Sequence, residues 1–165
     1  MTLRDTLLPE LDHEAAVTRR LLERVPDDAF EWRPHERSMS LGRLATHLAE
    51  LVRWGNWILD RESYEYVEKT SPGHVEPSRA HVLQLFDQHV AEVRRNLAGR
   101  TEGELFAPWA IRSGGRVVMS MPRVAALRRY LFNHLVHHRG QLSVYLRMHN
   151  VPLPPIYGPS ADEKM

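Results

Sequence analysis

The run YLFNHLVHHRGQL, residues 130–142, sets three histidines within five positions, His134, His137 and His138. On a helix, a spacing of four brings His134 and His138 onto one face with Cβ atoms about 5–6 Å apart, within reach of a single ion. A heptad frame gives their direction. Val124, Leu131, His138 and Tyr145 form one inward series, and Leu127, His134, Gln141 and Met148 its companion. His134 and His138 then point inward between leucines, and His137 falls on the flank. Each inward imidazole brings a donor and an acceptor into apolar surroundings and needs partners for both. Spacing alone leaves two readings open: ligands of an ion, or core histidines satisfied by hydrogen bonds.

Two ligands hold an ion weakly, so a third is needed. His47 in RLATHLAEL stands between Leu44 and Leu51, beside an apolar stripe, where position alone favours a boundary histidine. His89, seven residues after Val82, is a rival inward candidate. His13, His35, His74, His81 and His149 read as surface or loop residues. Glu50, one turn after His47, is either a solvated carboxylate or a partner of the site. The chain has no cysteine, which excludes a thiolate nucleophile, a disulfide framework and a Cys-ligated zinc site. Carboxylates do not recur as Glu-x-x-His on paired helices, which disfavours a di-iron centre.

Four amphipathic segments must position these residues. The first runs from about Leu3 to Val25, with Leu8, Leu11, Ala15, Thr18 and Leu22 on one stripe. The second, about Leu41 to Asp60, follows Ser38 or Ser40 as N-cap. The third starts near Ser78 and stops at Gly99. The fourth spans about Pro122 to His149. PDDAFEWRPHERSMS and SYEYVEKTSPGHVEPS read as long connections, and ELFAPWAIRSGGRVVMSMP as an interruption with a small hairpin around RSGG. The tail, 151–165, is broken by four prolines and a glycine; Ile156 and Tyr157 suit docking on the body, followed by a charged, mobile end. The pattern predicts an all-α fold, a four-helix bundle with long connections, in one domain of residues 1–165.

At 165 residues, 42% hydrophobic and 26% charged, the composition is that of an ordinary globular domain. Lys and Arg total 22 against 21 Asp and Glu, and the net charge of +1 predicts no nucleic-acid-binding face. No stretch approaches the ~18 apolar residues of a membrane span, and MTLRDTLLPELDHEAAV lacks a signal-peptide core. A cytoplasmic location is expected.

NHLVHHRGQL, with LATHLAEL upstream and PPIYGPSADE at the end, resembles the DinB/YfiT-like family over essentially the whole chain. The resemblance implies a four-helix bundle with an unusual connection order, commonly a homodimer, holding a divalent metal ion with three histidines at one end. Carried over by position, the metal ligands are His47, His134 and His138, and His137 is rejected. Arg139, Gly140 and Gln141 match the rest of the motif. Characterised relatives of this kind use low-molecular-weight thiols such as bacillithiol or mycothiol, as S-transferases or as an isomerase. The family name refers to induction by DNA damage and implies no DNA binding.

Three neutral imidazoles leave a coordination position open, the pattern of a catalytic site. The expected function is that of a divalent-metal-dependent enzyme, a low-molecular-weight-thiol S-transferase, with a metal-dependent hydrolase or a noncatalytic metal- or ligand-binding bundle as alternatives. Zinc and nickel both suit imidazole ligands. No residue is singled out as catalytic. His35, Glu50 and Gln141 are candidate bases by position in the pattern only.

Overall fold

The computed structural model describes residues 2–67 and 73–164. The first helix, α1, covers Leu3–Leu22 and opens with a reciprocal cap, in which the Asp5 amide donates to Thr2 Oγ1 at 3.3 Å and the Thr2 amide donates to Asp5 Oδ2 at 2.8 Å. Ser40 caps α2, Leu41–Leu51, by accepting from the Arg43 amide at 3.2 Å. The expected single helix to Asp60 is broken. Arg53 N–H reaches the Glu50 carbonyl and Gly55 N–H the Val52 carbonyl, three residues back in each case, and α3, Trp54–Asp60, sets off after this tight turn. Gly55 lets α3 lie close on the next helix: a Cβ there would sit 2.7 Å from Val93 Cγ1.

After β1, Ser63–Glu65, the chain enters α4, Arg79–Ala98, which begins beside Ser78 as expected and is capped by it. A short α5, Glu102–Phe106, leads into β2, Pro108–Ser113, and β3, Arg116–Pro122. The hairpin expected at RSGG forms. Gly114 and Gly115 take φ of 57° and 75°, the two positive values that a two-residue turn of matching twist requires. Beyond the hairpin, β1 pairs in parallel with β2, Tyr64 opposite Ile111, to complete a three-stranded sheet. Its first strand corrects the reading of SYEYVEKTSPGHVEPS as plain connection. Three residues show no alternation long enough to betray a strand; the partner defines it.

The last helical run contains α6, Arg123–Leu127, a π-helical turn at Arg128–Phe132, and α7, Asn133–Met148. A π turn holds one more residue than an α turn. The buried line accordingly steps by four through Leu127, Leu131, Leu135 and Arg139 before continuing at Leu142 and Leu146. This corrects the heptad frame, since Gln141 and Met148, expected inside, are exposed. The chain is mostly helical. α1 and α2 each pack against both α4 and α7 around one core of leucine, valine and phenylalanine.

The tail lies on the body through Arg24, which donates to the Pro152 carbonyl at 2.7 Å, and Arg20, which donates to the Pro155 carbonyl at 3.1 Å. Its acidic end is held as well, Asp162 by Arg147 and Glu163 by Arg24, contrary to the expected loose terminus. Among the described residues no helix is long and apolar enough to cross a membrane.

Candidate metal centre

α2 and α7 run against each other and bring His47, His134 and His138 together, with one ligand-capable atom from each within 4.8 Å of the others. The ring centroids of His47 and His138 are 4.4 Å apart, and those of His47 and His134 are 5.4 Å apart. The one-residue shift imposed by the π turn places His134 and His138 immediately before Leu135 and Arg139 on the buried line. They therefore occupy its edge, and His138 is 8% exposed. His137 is exposed to solvent.

The two α7 imidazoles turn Nε2 to a common point, 2.9 Å apart. A tetrahedral zinc with Zn–N bonds of 2.0–2.1 Å puts its ligand nitrogens ~3.3 Å apart, between this value and the widest separation in the group. The other ring nitrogens of the two α7 histidines are held in a manner suited to ligation. His138 Nδ1 lies 2.7 Å from Gln141 Oε1. The amide oxygen can only accept, so the proton sits on Nδ1 and the Nε2 lone pair is directed to the shared point. The His134 ring hydrogen-bonds the Tyr130 backbone, within the π turn.

Electrostatics favours the neutral forms. Burial first, then the neighbouring His138 and His137, pushes His134 down to about 4. Burial also lowers His138, with His137 and the Arg43 guanidinium adding to the effect and Gln141 opposing it. Both rings are thus uncharged at neutral pH, the state in which imidazole ligates. The donor set fits a divalent ion.

His89, the rival third ligand, is buried but belongs elsewhere: its Nδ1 pairs with the Ala49 carbonyl at 2.9 Å and ties α4 to α2. His13, His35, His74 and His81 are exposed, as expected. His149 lies in the turn after α7, within the expected surface-or-loop class, but is half-buried, with its ring edge-on to Trp32 at a centroid distance of 4.5 Å. Of the candidate bases, His35 is exposed in the loop before α2 and accepts from the Arg37 amide. Gln141 is committed to His138. Glu50 shares a cleft of about 380 Å³ with His47 and forms an ion pair with Arg43 at 3.0 Å.

Two features of the site's surroundings escaped the sequence reading. The first is the role of Arg139, which is 1% exposed and pairs with Glu14 of α1 at 2.6 Å. It also donates to the Glu14 carbonyl, to Thr18 Oγ1 and to the Tyr157 hydroxyl of the tail. The strict heptad leaves Arg139 off the core line, and the π turn is what brings it there. The second is the aromatic wall of the cleft, where Trp54, Trp57 and Tyr64 from α3 and β1 pack together. The break after α2 and the parallel pairing of β1 create that wall, and neither showed in the pattern.

Known proteins share this architecture. The chain is 25% identical over 171 residues to the uncharacterized protein YrdA of Bacillus subtilis, covering 96% of this chain and 90% of that one. It superimposes on the crystal structure of a DinB-like protein of Bacillus subtilis, YjoA, with a TM-score of 0.70 at 20% identity, over 97% of this chain and 99% of that one. A DinB-like protein from Bacillus cereus gives a TM-score of 0.70 at 22% identity, over 91% and 95% of the two chains. A structure assigned to the DinB family from Exiguobacterium sibiricum gives 0.64 at 19% identity, over 94% and 97%. At these identities the likeness establishes the fold. The sequence itself matches the DinB family from residue 1 to residue 164, so the chain belongs to the DinB family.

Proposed function

We propose that the protein is a divalent-metal-dependent enzyme in which His47, His134 and His138 ligate the ion and a low-molecular-weight thiol serves as nucleophilic cosubstrate. The observation that carries this reading is the convergence of three imidazoles beside a cleft of about 380 Å³ that His47 itself lines. A structural site is closed by four protein ligands, whereas three with an adjoining cleft leave room for a reactant. A bound zinc or nickel ion supplies Lewis-acid stabilisation of a thiolate, whose parent thiol has an ordinary pKa of about 8.5.

The chain's own residues do the rest. Gln141 holds the Nδ1 proton of His138 and keeps Nε2 free to ligate. Arg43 balances the charge of Glu50, whose carboxylate borders the cleft and offers a place for the thiol proton. The thiolate sulfur then forms a bond to an electrophilic carbon, and the leaving group departs with its electron pair and takes up a proton. The thiol must come from outside, since the chain has no cysteine.

The presence of Glu50 in the same cleft also favours a second reading, metal-dependent hydrolysis, in which water replaces the thiol and Glu50 takes its proton. The test combines metal analysis with turnover. Purified protein should hold about one ion per chain, lost in His138→Ala and kept in His137→Ala. A panel of bacillithiol, mycothiol, glutathione and coenzyme A with an alkylating electrophile should give turnover only with thiol and ion together. Ester or amide hydrolysis without thiol would select the hydrolase. A fully loaded site with no turnover on either panel would make the protein a metal-binding bundle.

A further inference from the structure

The cleft beside His47 is rich in aromatic side chains. Trp54, Trp57 and Tyr64 form a packed wall in which the Trp57 and Tyr64 rings stack at 5.2 Å with 23° between planes and Trp54 meets Trp57 edge-on at 5.1 Å. Trp54 is backed in turn by Tyr130, stacked at 5.5 Å. Tyr66 completes the cleft with a ring that is 55% exposed and has no ring partner among the described residues. Its volume, about 380 Å³, lies at the small end of the ~300–1,000 Å³ range of small-molecule sites.

Aromatic walls accept two kinds of guest, a flat π-system or a cation. Charge decides between them. Arg53 lines the cleft and holds its guanidinium 4.8 Å from the Trp57 ring centre, and Arg61 lies 5.8 Å from the same centre. The cation-binding capacity of Trp57 is therefore already used from within the chain. Neither arginine makes an ion pair among the described residues, and the one carboxylate in the cleft, Glu50, is neutralised by Arg43. Of the two, Arg53 alone lines the cleft, and an incoming cation would meet its uncompensated guanidinium. An anion would be drawn to it.

We propose that this cleft binds the electrophilic substrate of the metal site, and that the substrate is a small planar aromatic anion, its ring against the Trp54 and Tyr66 side chains and its negative group toward Arg53, which rests on Trp57. The inference rests on the reading above for the word substrate, while the binding preference stands on the cleft alone. The adjoining His47 places the ring within one cleft width of the point where the thiolate would be held.

Isothermal titration calorimetry on the zinc-free protein tests the preference. The three probes are naphthalene-2-carboxylate, its fully saturated decahydro analogue and 2-naphthylmethylammonium. The planar anion should bind at least tenfold more tightly than either comparator and should shift the indole N–H resonances of Trp54 and Trp57. Tyr66→Ala should weaken it about fivefold, the loss of one ring contact. Arg53→Gln should weaken it and narrow the gap to the ammonium. Equal binding of the saturated acid, tighter binding of the ammonium, or no binding of any probe would each overturn the proposal. Because zinc is omitted, these results are separate from metal stoichiometry. Loss of the metal reading with the preference intact would refute only the enzyme, and metal-dependent thiol transfer without the preference would refute only the substrate class.

Discussion

Replacing Gln141 with leucine isolates one hydrogen bond at the three-histidine cluster. In the structure the Gln141 amide oxygen lies 2.7 Å from His138 Nδ1 and has no other partner among the described residues, and the side chain is otherwise exposed. Leucine keeps the helix and removes the acceptor. The His138 ring then loses its orientation and its preference for the tautomer with a free Nε2. It also loses the polarisation that makes Nε2 a better donor. Outer partners of this kind are worth about 10–100-fold in metal affinity, or about 1.4–2.7 kcal/mol. Stability should barely move, since exposed substitutions stay within about 0.5 kcal/mol. Gln141→Glu, with an acceptor at the same reach, should recover most of the affinity. Competition against a zinc chelator measures the affinity, and urea unfolding of the metal-free protein measures stability. Unchanged zinc affinity in Gln141→Leu would refute the argument that this bond sets the ligating form of His138. A parallel loss of stability would show that the residue acts on the fold instead.

Arg139→Met leaves Glu14 buried beside an apolar neighbour, and breaking such a pair costs about 3–5 kcal/mol; Arg139→Met with Glu14→Leu should regain much of it, read as coupling in a denaturant double-mutant cycle. Tyr157 is held by the same two side chains, so the single variant should also expose the tail to limited proteolysis sooner than the native chain. Acid should act through His134. Its folded value of about 4 lies below the ordinary 6.5, so the unfolded chain takes up the proton first as pH falls. The metal-free protein should lose stability from about pH 6.5 down to about 4, with no contribution from this residue above that window. His134→Ala should show a shallower decline over the same range, and an identical one would refute the assignment.

Two helix starts were legible because capping is local chemistry: Ser40 and Ser78 accept from amides three residues on. The reciprocal cap of Thr101 and Glu104 on the short α5 was not anticipated. The hairpin was legible for a similar reason, since adjacent glycines supply the two positive φ angles. The types and spacing of His134 and His138 point to the cluster from the sequence, though only the family resemblance selects His47 over His89. Position made both inward or boundary residues, and the distinction lies in what each ring meets: the Ala49 carbonyl for His89, two other imidazoles for His47.

What was illegible shares one cause: it depends on contacts far along the chain or on a backbone irregularity without a residue signature. RRYLF carries no glycine or proline, yet it forms the π turn that carries the core line from Leu127 to Leu131, Leu135 and Arg139. A strict heptad through this segment puts His134 and Gln141 on one buried series. The extra residue separates their roles. His134 stays at the edge facing α2, and Gln141 turns outward far enough to stand behind His138 and hold its Nδ1 proton. The same irregularity puts Tyr130 where its backbone can bond the His134 ring while its own ring backs Trp54. One wide turn of helix thereby ties the orientation of a histidine of the cluster to the aromatic wall of the neighbouring cleft. A regular α-helix over 123–148 would keep the His138–Gln141 pair, which lies within α7, but would lose the link between His134 and the wall.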